Sequence, residues 1–425
     1  MITVGQRIGR NLPALLLLIA ITVVSLGCSS PKPVTAPPPP PDYTRPLAPG
    51  APSLRLLAAS DRPDLSGLEA QFADPTFRES LRRSAGWYAK PSSKTYFSPE
   101  RVATTRISHG HADVSARALL WIVEHAASPA EAIRQVQRDF DVYQSVGWNG
   151  RGDVLITGYF SPEFTASLTR TGAFQYPLYA RPADLRSDPI SGEVFGRQSE
   201  AGIVPYHTRS QIEGQGLLAG TELVYLPSRL DAYTIEVNGS AKLKLTDGSV
   251  MYIGHAGTNG LEYTSIGREL IHDGKLDKNT VSMPTIRRFF LDNPDQLELY
   301  IARNDRFVFF QEYDNADDWP GGSLGFRVEG MRSIATDKEV YPAGAVVLVQ
   351  TGSNNRDGAI EPINQLVMDQ DTGGAIRAPG RADLYFGIGS VAEEKAGRLA
   401  IEGRLYYLFL KRELVQGWYN RLRAQ

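Results

Sequence analysis

Cysteine is almost absent from this sequence, which holds a single one, Cys28, among 425 residues. One thiol cannot form a disulfide within the chain, so a fold held together by internal disulfide bridges is excluded. An excess of either charge is also missing, because 45 lysines and arginines face 47 aspartates and glutamates, for a net charge of −2. Proteins that bind nucleic acid usually carry a basic stripe, and we therefore expect no nucleic-acid partner.

The N-terminus holds an apolar run, residues 12–26, which follows two arginines, Arg7 and Arg10. This run has the length of a secretory signal and is too short to span a bilayer comfortably. It ends at Ser25-Leu26-Gly27-Cys28, which resembles a bacterial lipobox, the motif whose cysteine is lipidated and becomes the new N-terminus. An ordinary secretory signal with an incidental cysteine is the alternative interpretation.

The lipobox resemblance implies that residues 1–28 are a lipoprotein signal peptide and that Cys28 carries the lipid. The next residue, Ser29, is not the aspartate that retains such lipoproteins in the inner membrane. We therefore expect a lipid anchor on the periplasmic face of the outer membrane. Ten prolines between residues 31 and 52 cannot build a packed core, so residues 29–53 are predicted to be an extended linker of ~3.1 Å per residue.

Residues 54–147 show the periodicity of helices. The segment Val114–Ala126 has apolar residues at helical spacing, and Ser128, followed by Pro129 and Glu131, is typical of a helix start. The apolar residues that follow this start are Ile133, Val136, Phe140 and Tyr143. Their spacing predicts a helix that continues to Tyr143.

After Gly152 the apolar residues follow the period of strands. Asp247-Gly248, between two such segments, is a strong hairpin signal. The predicted strands cover residues 154–156, 233–237, 243–245, 250–253, 307–310, 346–350, 366–369, 384–386 and 405–411, with a short helix at residues 284–291. A helical N-terminal layer followed by many short strands indicates a mainly β protein with β-barrel architecture rather than a doubly wound sheet.

Asp383 is the candidate acid that the residues themselves suggest. It lies between Ala382 and Leu384-Tyr385-Phe386 on a predicted strand. A carboxylate in apolar surroundings tends to keep its proton, because desolvation disfavours the charged form. A protonated acid can donate to a glycosidic oxygen. An aspartate followed by glycines, as at Asp371, is also common in turns where the carboxylate caps backbone amides.

Three aspartates introduce recurring short motifs in the C-terminal part. Asp337 precedes a Pro-x-Gly turn, Asp371 opens Asp-x-Gly-Gly-Ala-Ile-Arg, and Asp383 precedes Leu384-Tyr385. These motifs resemble the three-aspartate domain of the membrane-bound lytic murein transglycosylase A family. Further segments that match the family in order are Gly158-Tyr159, Phe174–Pro177, Thr208-Arg209, and residues 252–268 and 396–406.

The resemblance implies a double-psi β-barrel with a second, smaller β-barrel inserted into it. The first barrel would comprise residues 54–159 and 310–425, with the three-aspartate motifs at 337–387. The insert, residues 160–309, would bind substrate in a groove between the two. The implied activity is that of a peptidoglycan lytic transglycosylase, whose substrate is the peptidoglycan glycan strand. Proteins of a cell-wall synthesis complex would be further partners.

The resemblance assigns catalysis to Asp383, with Asp337 and Asp371 in support; turn capping is an equally good interpretation for the latter two. The implied substrate-binding residues are Thr157, Gly158, Tyr159, Gln175, Asn238, Gly373 and Gly374. One acid suffices for a lytic transglycosylase, because the muramoyl C6 hydroxyl is a tethered nucleophile that replaces water. We expect no cofactor and no metal, since His109 and His111 precede a helix and lack an evident third ligand.

The sequence departs from the family pattern in three places. Asn238–Ala241 replaces Gln-Gly-Ser-Gly, residues 352–361 lengthen a loop, and Asp369 adds a fourth carboxylate. Two other functions therefore stay open, a non-catalytic peptidoglycan-binding lipoprotein and a hydrolytic muramidase. The hydrolase would need a second acid about 6 Å or more from Asp383, and Asp369 is the feature that keeps it open.

Overall fold

The computed structural model describes residues 41–188, 193–278, 281–355 and 358–424. The predicted signal peptide, Cys28 and residues 29–40 of the predicted linker lie outside these ranges. Across the described ranges, none of the helices combines the length and apolarity that crossing a bilayer requires. The α-helices of these ranges are α1 (Glu69–Ala73), α2 (Pro75–Tyr88), α3 (Pro99–Thr105), α4 (His109–His125), α5 (Pro129–Asp139), α6 (Arg209–Gln215), α7 (Arg229–Asn238), α8 (Ile266–His272), α9 (Met283–Asp292), α10 (Leu297–Ile301), α11 (Ser390–Ala396) and α12 (Val415–Arg423).

The strands of the same ranges are β1 (Leu54–Leu56), β2 (Phe140–Ser145), β3 (Val154–Ser161), β4 (Glu163–Ala166), β5 (Tyr176–Tyr179), β6 (Leu185–Ser187), β7 (Val194–Ser199), β8 (Gly202–Val204), β9 (Glu222–Leu226), β10 (Ser240–Leu245), β11 (Val250–Thr258), β12 (Val308–Glu312), β13 (Ser333–Ala335), β14 (Val346–Asn354), β15 (Ile360–Asp371), β16 (Arg381–Ile388) and β17 (Ala400–Leu410). Six of them, β17, β14, β15, β13, β16 and β3, form a ring that closes where β3 pairs with β17. The pairings β13–β15 and β16–β3 are parallel, and the other four are antiparallel. The predicted double-psi β-barrel is confirmed.

A second, smaller barrel lies between β3 and β13 in the chain. Strands β4, β10, β11 and β12 form one sheet, and β5 pairs with β9. Two single bridges, Ser167↔Tyr225 and Ala180↔Phe310, join the edges of these sheets, so the six strands also form a ring. Its interior is filled by buried apolar side chains such as Val224, Leu243 and Ile253. The expected insertion of one β-barrel into another is therefore present.

Helices cover one side of the larger barrel. Side chains of α2 and α4, including Phe77, Leu81 and Ile122, pack with Leu348 and Leu366 from β14 and β15 in one buried cluster. The starts of these helices are capped, because the side chains of Asp74 and Ser108 accept hydrogen bonds from backbone amides of the first turn. The N-terminal helical layer thus buries the outer face of the barrel strands.

Two sequence predictions about secondary structure are wrong. Residues 233–237, predicted as a strand, belong to helix α7, which is capped by Ser228 and ends at Gly239 with a φ of 74°. This helix is buried on most of its surface, so its apolar pattern does not distinguish the helical from the strand period. The helix predicted to reach Tyr143 ends at Asp139, and Phe140 starts strand β2. Pairing of β2 with β17 outweighs the local helical spacing.

The hairpin predicted at Asp247-Gly248 is confirmed. It joins β10 to β11, with Leu243 opposite Met251. Gly248 has a φ of 90°, a conformation that glycine adopts without steric cost.

An ion pair lies in the interior of the larger barrel. Lys338 bonds to the carboxylate of Asp369, and these side chains are 6% and 0% exposed. The same carboxylate accepts hydrogen bonds from the hydroxyls of Thr336 at 2.7 Å and Tyr407 at 2.8 Å. Both carboxylate oxygens of the buried Asp369 thus have hydrogen-bond partners. A charge that is removed from water needs such partners to offset the loss of hydration. Asp369, the family departure, is thus a structural residue of the barrel interior.

We expect the substitution Lys338→Met to lower the free energy of unfolding by about 3–5 kcal/mol, because it leaves the buried Asp369 without its cation. The double variant Lys338→Met/Asp369→Leu should recover much of this loss, since it removes both charges. Urea unfolding of the three proteins measures both effects. A single variant as stable as the wild type would show that the pair does not hold the barrel.

Candidate active site

The parallel pairing of β3 with β16 brings Thr157 opposite Asp383. The Thr157 hydroxyl donates a hydrogen bond to Asp383 Oδ1. The Asp383 side chain remains 15% exposed, so the carboxyl is held by the barrel and still reaches solvent. Two residues predicted for the site from separate parts of the sequence are therefore in direct contact.

Arg381 is a second neighbour of the same carboxylate oxygen. Its Nε lies 3.4 Å from Asp383 Oδ1, and its Nη1 donates to the carbonyl oxygen of Ala375 at 3.3 Å. Among the described residues, both side-chain bonds of Asp383 thus use Oδ1. The sequence analysis assigned Arg381 no role. The two-residue period of β16 could have found it, since residues 381 and 383 point to the same face of a strand.

Tyr159 connects the second aspartate to the same strand. Its hydroxyl donates to Asp371 Oδ2 at 2.8 Å, while Asp371 Oδ1 accepts from the backbone amides of Ser323 at 2.9 Å and Thr372 at 2.8 Å. Burial raises the pKa of the Asp371 carboxyl, and these hydrogen bonds oppose the rise. Because Thr157 and Tyr159 alternate with Gly158 along β3, they present their hydroxyls to Asp383 and Asp371 on one face.

Asp337 caps backbone amides. Its Oδ1 accepts from Glu339 N at 3.0 Å, and its Oδ2 accepts from Ala378 N at 2.7 Å. Ala378 has a φ of 64°, a left-handed conformation that costs energy for a residue with a side chain. Asp337 thereby holds the loop between β15 and β16, in which Gly373 and Gly374 lie, in the form that leads to Asp383.

Gly158 is explained by packing. A Cβ atom at this position would lie 2.6 Å from Ala396 Cα and 2.7 Å from Ala396 O, in helix α11. Only glycine lets β3 approach this helix so closely. Gly158 thereby fixes the place of its neighbours Thr157 and Tyr159, and its role as a substrate contact stays a prediction.

Gln175 and Asn238 make their hydrogen bonds within the smaller barrel. Gln175 Nε2 donates to Gly172 O at 3.0 Å, and Asn238 Nδ2 donates to Thr234 O at 2.8 Å. Neither bond reaches the Thr157–Asp383 pair. Both residues stay predictions as substrate contacts.

The two histidines considered for a metal have other partners. His109 Nε2 lies 2.7 Å from the hydroxyl of Ser93, and His111 Nε2 lies 2.7 Å from Leu410 O. In the part of the chain that the structure describes, no group of three or more histidine, cysteine, aspartate or glutamate residues is placed to hold a metal.

His255, on β11 of the smaller barrel, is a titratable group that sequence reasoning missed. The residue remains exposed to solvent, and crowding by the surrounding protein together with the charges of Arg306 and Arg181 lowers its pKa from 6.5 to about 4. The unfolded chain therefore takes up a proton here at a higher pH than the folded chain does. The neutral imidazole therefore contributes fully to the free energy of unfolding above pH 6.5, and this contribution is lost as the pH falls to about 4.

We expect His255→Asn to reduce the fall in melting temperature between pH 6.5 and pH 4, because the variant lacks the group that the unfolded state protonates first. Thermal unfolding of both proteins across this range provides the measurement. An equal fall in both would show that His255 is not held neutral.

Comparison with known proteins adds two family models and several relatives. Residues 155–311 match the MltA specific insert domain, and residues 332–409 match the 3D domain. The chain is 30% identical over 277 residues to the membrane-bound lytic murein transglycosylase A of Escherichia coli K12, covering 64% of this chain and 70% of the relative. It is 28% identical over 351 residues to the protein of that name from Vibrio cholerae, covering 81% and 90%.

A solved structure is similar over most of its length. The crystal structure of E. coli MltA with bound chitohexaose superposes with a TM-score of 0.63 at 25% identity, and the match covers 87% of this chain and 96% of that chain. The two barrels and the aspartate-bearing strands define an enzyme of the lytic transglycosylase class. The matched domains and the relatives refine this class, and the chain belongs to the membrane-bound lytic murein transglycosylase A family.

Proposed function

We propose that this enzyme cleaves the β-1,4 bond between N-acetylmuramic acid and N-acetylglucosamine in peptidoglycan and forms 1,6-anhydromuramic acid, with Asp383 as the only acid and base. The observation that carries the proposal is the Thr157–Asp383 pair, a partly exposed carboxyl fixed through one oxygen. The relatives are named for the same class of reaction.

The reaction needs one proton to travel in two steps. Asp383 first donates its proton to the glycosidic oxygen, and the bond from this oxygen to muramoyl C1 breaks. The ionised Asp383 then takes the proton of the muramoyl C6 hydroxyl, whose oxygen attacks C1 and closes the anhydro ring. Because the nucleophile is part of the substrate, its effective concentration can reach ~10⁵ M or more. The carboxyl ends the cycle protonated, and no water is consumed.

The hydrogen bonds of Asp383 suit this double role. Thr157 and Arg381 both approach Oδ1, so Oδ2, which has no hydrogen-bond partner among the described residues, is the oxygen that would face the substrate. Arg381 would stabilise the carboxylate after the first step, through the attraction of opposite charges. Asp371 and Asp337 would act in support, by holding Tyr159 and the Gly373-Gly374 loop.

Hydrolysis would require a second acid that activates water. Asp369 was the sequence candidate, and its side chain is fully buried in the ion pair with Lys338. It therefore cannot reach a sugar in the substrate, and the observation favours the lytic reaction over the hydrolytic one.

The substitution Asp383→Asn should lower the release of anhydromuropeptides from purified sacculi by about 10²–10⁴-fold or more, because general acid–base catalysis is typically worth that factor and one group supplies both halves here. Its melting temperature should stay near that of the wild type. Asp61→Asn, an exposed aspartate in the N-terminal part, is the matched control and should keep full activity. A folded Asp383→Asn protein with wild-type turnover would refute the role of Asp383.

We further propose substrate contacts at Thr157, Tyr159, Gln175, Asn238, Gly373 and Gly374. The smaller barrel would supply one wall of the glycan groove, and residues 160–309 would form this substrate-binding domain. Proteins of a cell-wall synthesis complex are proposed partners. The proposal rests on the family for Gln175 and Asn238, and on both the family and the position beside Asp383 and Asp371 for the other four residues.

The proposed location is the periplasmic face of the outer membrane, with a lipid on Cys28. Support comes from the lipobox-like Ser25–Cys28 segment and from relatives named membrane-bound. One acyl chain binds membranes only marginally, whereas several chains on one cysteine hold a protein stably.

The variant Cys28→Ala should stay unprocessed or leave the membrane fraction, because the lipid acceptor is missing. Ser29→Asp should move the protein to the inner membrane, and Ser30→Ala should change nothing. Membrane fractionation and immunoblotting measure all three. Unchanged outer-membrane association of Cys28→Ala would contradict the lipid anchor.

A further inference from the structure

Arg306 lies where the smaller barrel meets the loop between β15 and β16. Its Nη1 donates to Leu261 O at 3.3 Å, and its own carbonyl oxygen accepts from Arg209 Nη2 at 2.6 Å. A Cβ atom placed on Gly374 would lie 3.8 Å from the Arg306 guanidinium carbon. The guanidinium is therefore fixed against the Gly373-Gly374 loop, on the side contributed by the insert.

A second cation, Arg377, lies three residues after Gly374 in that same loop. Burial lowers the pKa of Arg306, Glu262 opposes this effect, and the charge of the exposed Arg377 adds to it. The charges of Arg306 and Arg181 also help to keep His255 neutral. Two like charges close together repel each other by Coulomb's law, so this arrangement costs stability in the free protein.

Some other arginines of the insert have counter-ions, whereas Arg181, among the described residues, bonds only to carbonyl and hydroxyl oxygens. Arg209 pairs with Glu236, and Arg303 pairs with Glu269 at 2.9 Å. Among the described residues, Arg306 and Arg377 pair with no carboxylate within 4 Å. Arg306 is half-buried, and its side chain bonds only to a backbone carbonyl among the described residues. Binding of an anion to such a cation is favourable, because the anion supplies the missing opposite charge.

The two arginines are close to the proposed chemistry. Arg381 Nε lies 3.4 Å from Asp383 Oδ1. Arg381 also bonds to Ala375, the residue after Gly374. The cation pair and Asp383 therefore flank one short loop.

We propose that Arg306 and Arg377 form a carboxylate-binding site that recognises the acidic substituent of a muramoyl residue bound beside Asp383. This inference rests on the proposed function. The sugar rings of a peptidoglycan strand are uncharged, so its anionic groups are carboxylates attached through the lactyl ether of muramic acid. The carboxylate comes either from the free lactyl group of a strand without peptides or from a stem peptide. A guanidinium binds either one through paired, charge-assisted hydrogen bonds.

The test measures binding in the Asp383→Asn background, so that no ligand is consumed. Three oligosaccharides of equal length are compared by calorimetry. Chitohexaose carries no carboxylate, an amidase-treated murein hexasaccharide carries free lactyl carboxylates, and the peptide-bearing hexasaccharide carries peptide carboxylates only. Two variants test the site. Arg377→Gln changes an exposed side chain, and Arg306→Gln changes a half-buried one, so its melting temperature is measured as well. The control is Arg134→Gln on α5, which removes one surface charge.

We expect Arg377→Gln to weaken binding of a carboxylate-bearing ligand on the order of ten- to hundredfold, the value of a hydrogen bond to a charged group, and to leave chitohexaose binding unchanged. A loss for the amidase-treated ligand alone identifies the lactyl carboxylate, and a loss for the peptide-bearing ligand alone identifies the stem peptide. Arg134→Gln should change none of the affinities. Equal losses for all three ligands, or no loss for any, would overturn the proposal. Failure of the lytic reaction itself would appear separately, as absent anhydro products from the wild-type enzyme.

Discussion

The parallel pairing of β3 with β16 is the constraint on which the site depends. Its register sets Thr157 against Asp383 and places Tyr159 two residues further along the same face. Gly158 between them allows helix α11 to press against the strand, so a shift of one residue would meet both a steric clash and a reversal of faces. The acid is thereby positioned by the backbone of a closed barrel rather than by a flexible loop.

Charges are arranged differently in the two parts of the site. In the larger barrel each buried carboxylate is satisfied, Asp369 by Lys338 and hydroxyls, Asp337 by backbone amides. On the side of the insert, Arg306 bonds to the carbonyl oxygen of Leu261 and pairs with no carboxylate among the described residues. The barrel thus contributes a rigid acid, and the insert contributes positive charge that the free enzyme does not neutralise. Such a division suits an enzyme whose substrate is a neutral strand with acidic branches.

The barrel and the position of Asp383 on one of its strands could be predicted from short linear motifs. Each of these motifs contains a turn next to a strand of the barrel. The strand predicted at residues 233–237 failed because α7 is buried almost all round, which removes the periodic signal. Asp369 was noticed as unusual, yet its partner Lys338 is 31 residues away, and burial of both could not be read from local pattern. The place of Arg306 beside the Gly373-Gly374 loop depends on how the inserted barrel packs, which no local spacing encodes.

The central claim is that one acid acts without water, and the most direct measurement is product analysis in water labelled with heavy oxygen. The wild-type enzyme would digest purified sacculi in this solvent, and mass spectrometry would read the muramoyl ends. We expect muramoyl ends whose mass is lower than that of a reducing end by one water molecule and that contain no heavy oxygen. Reducing ends that carry heavy oxygen, released as the main product, would contradict it.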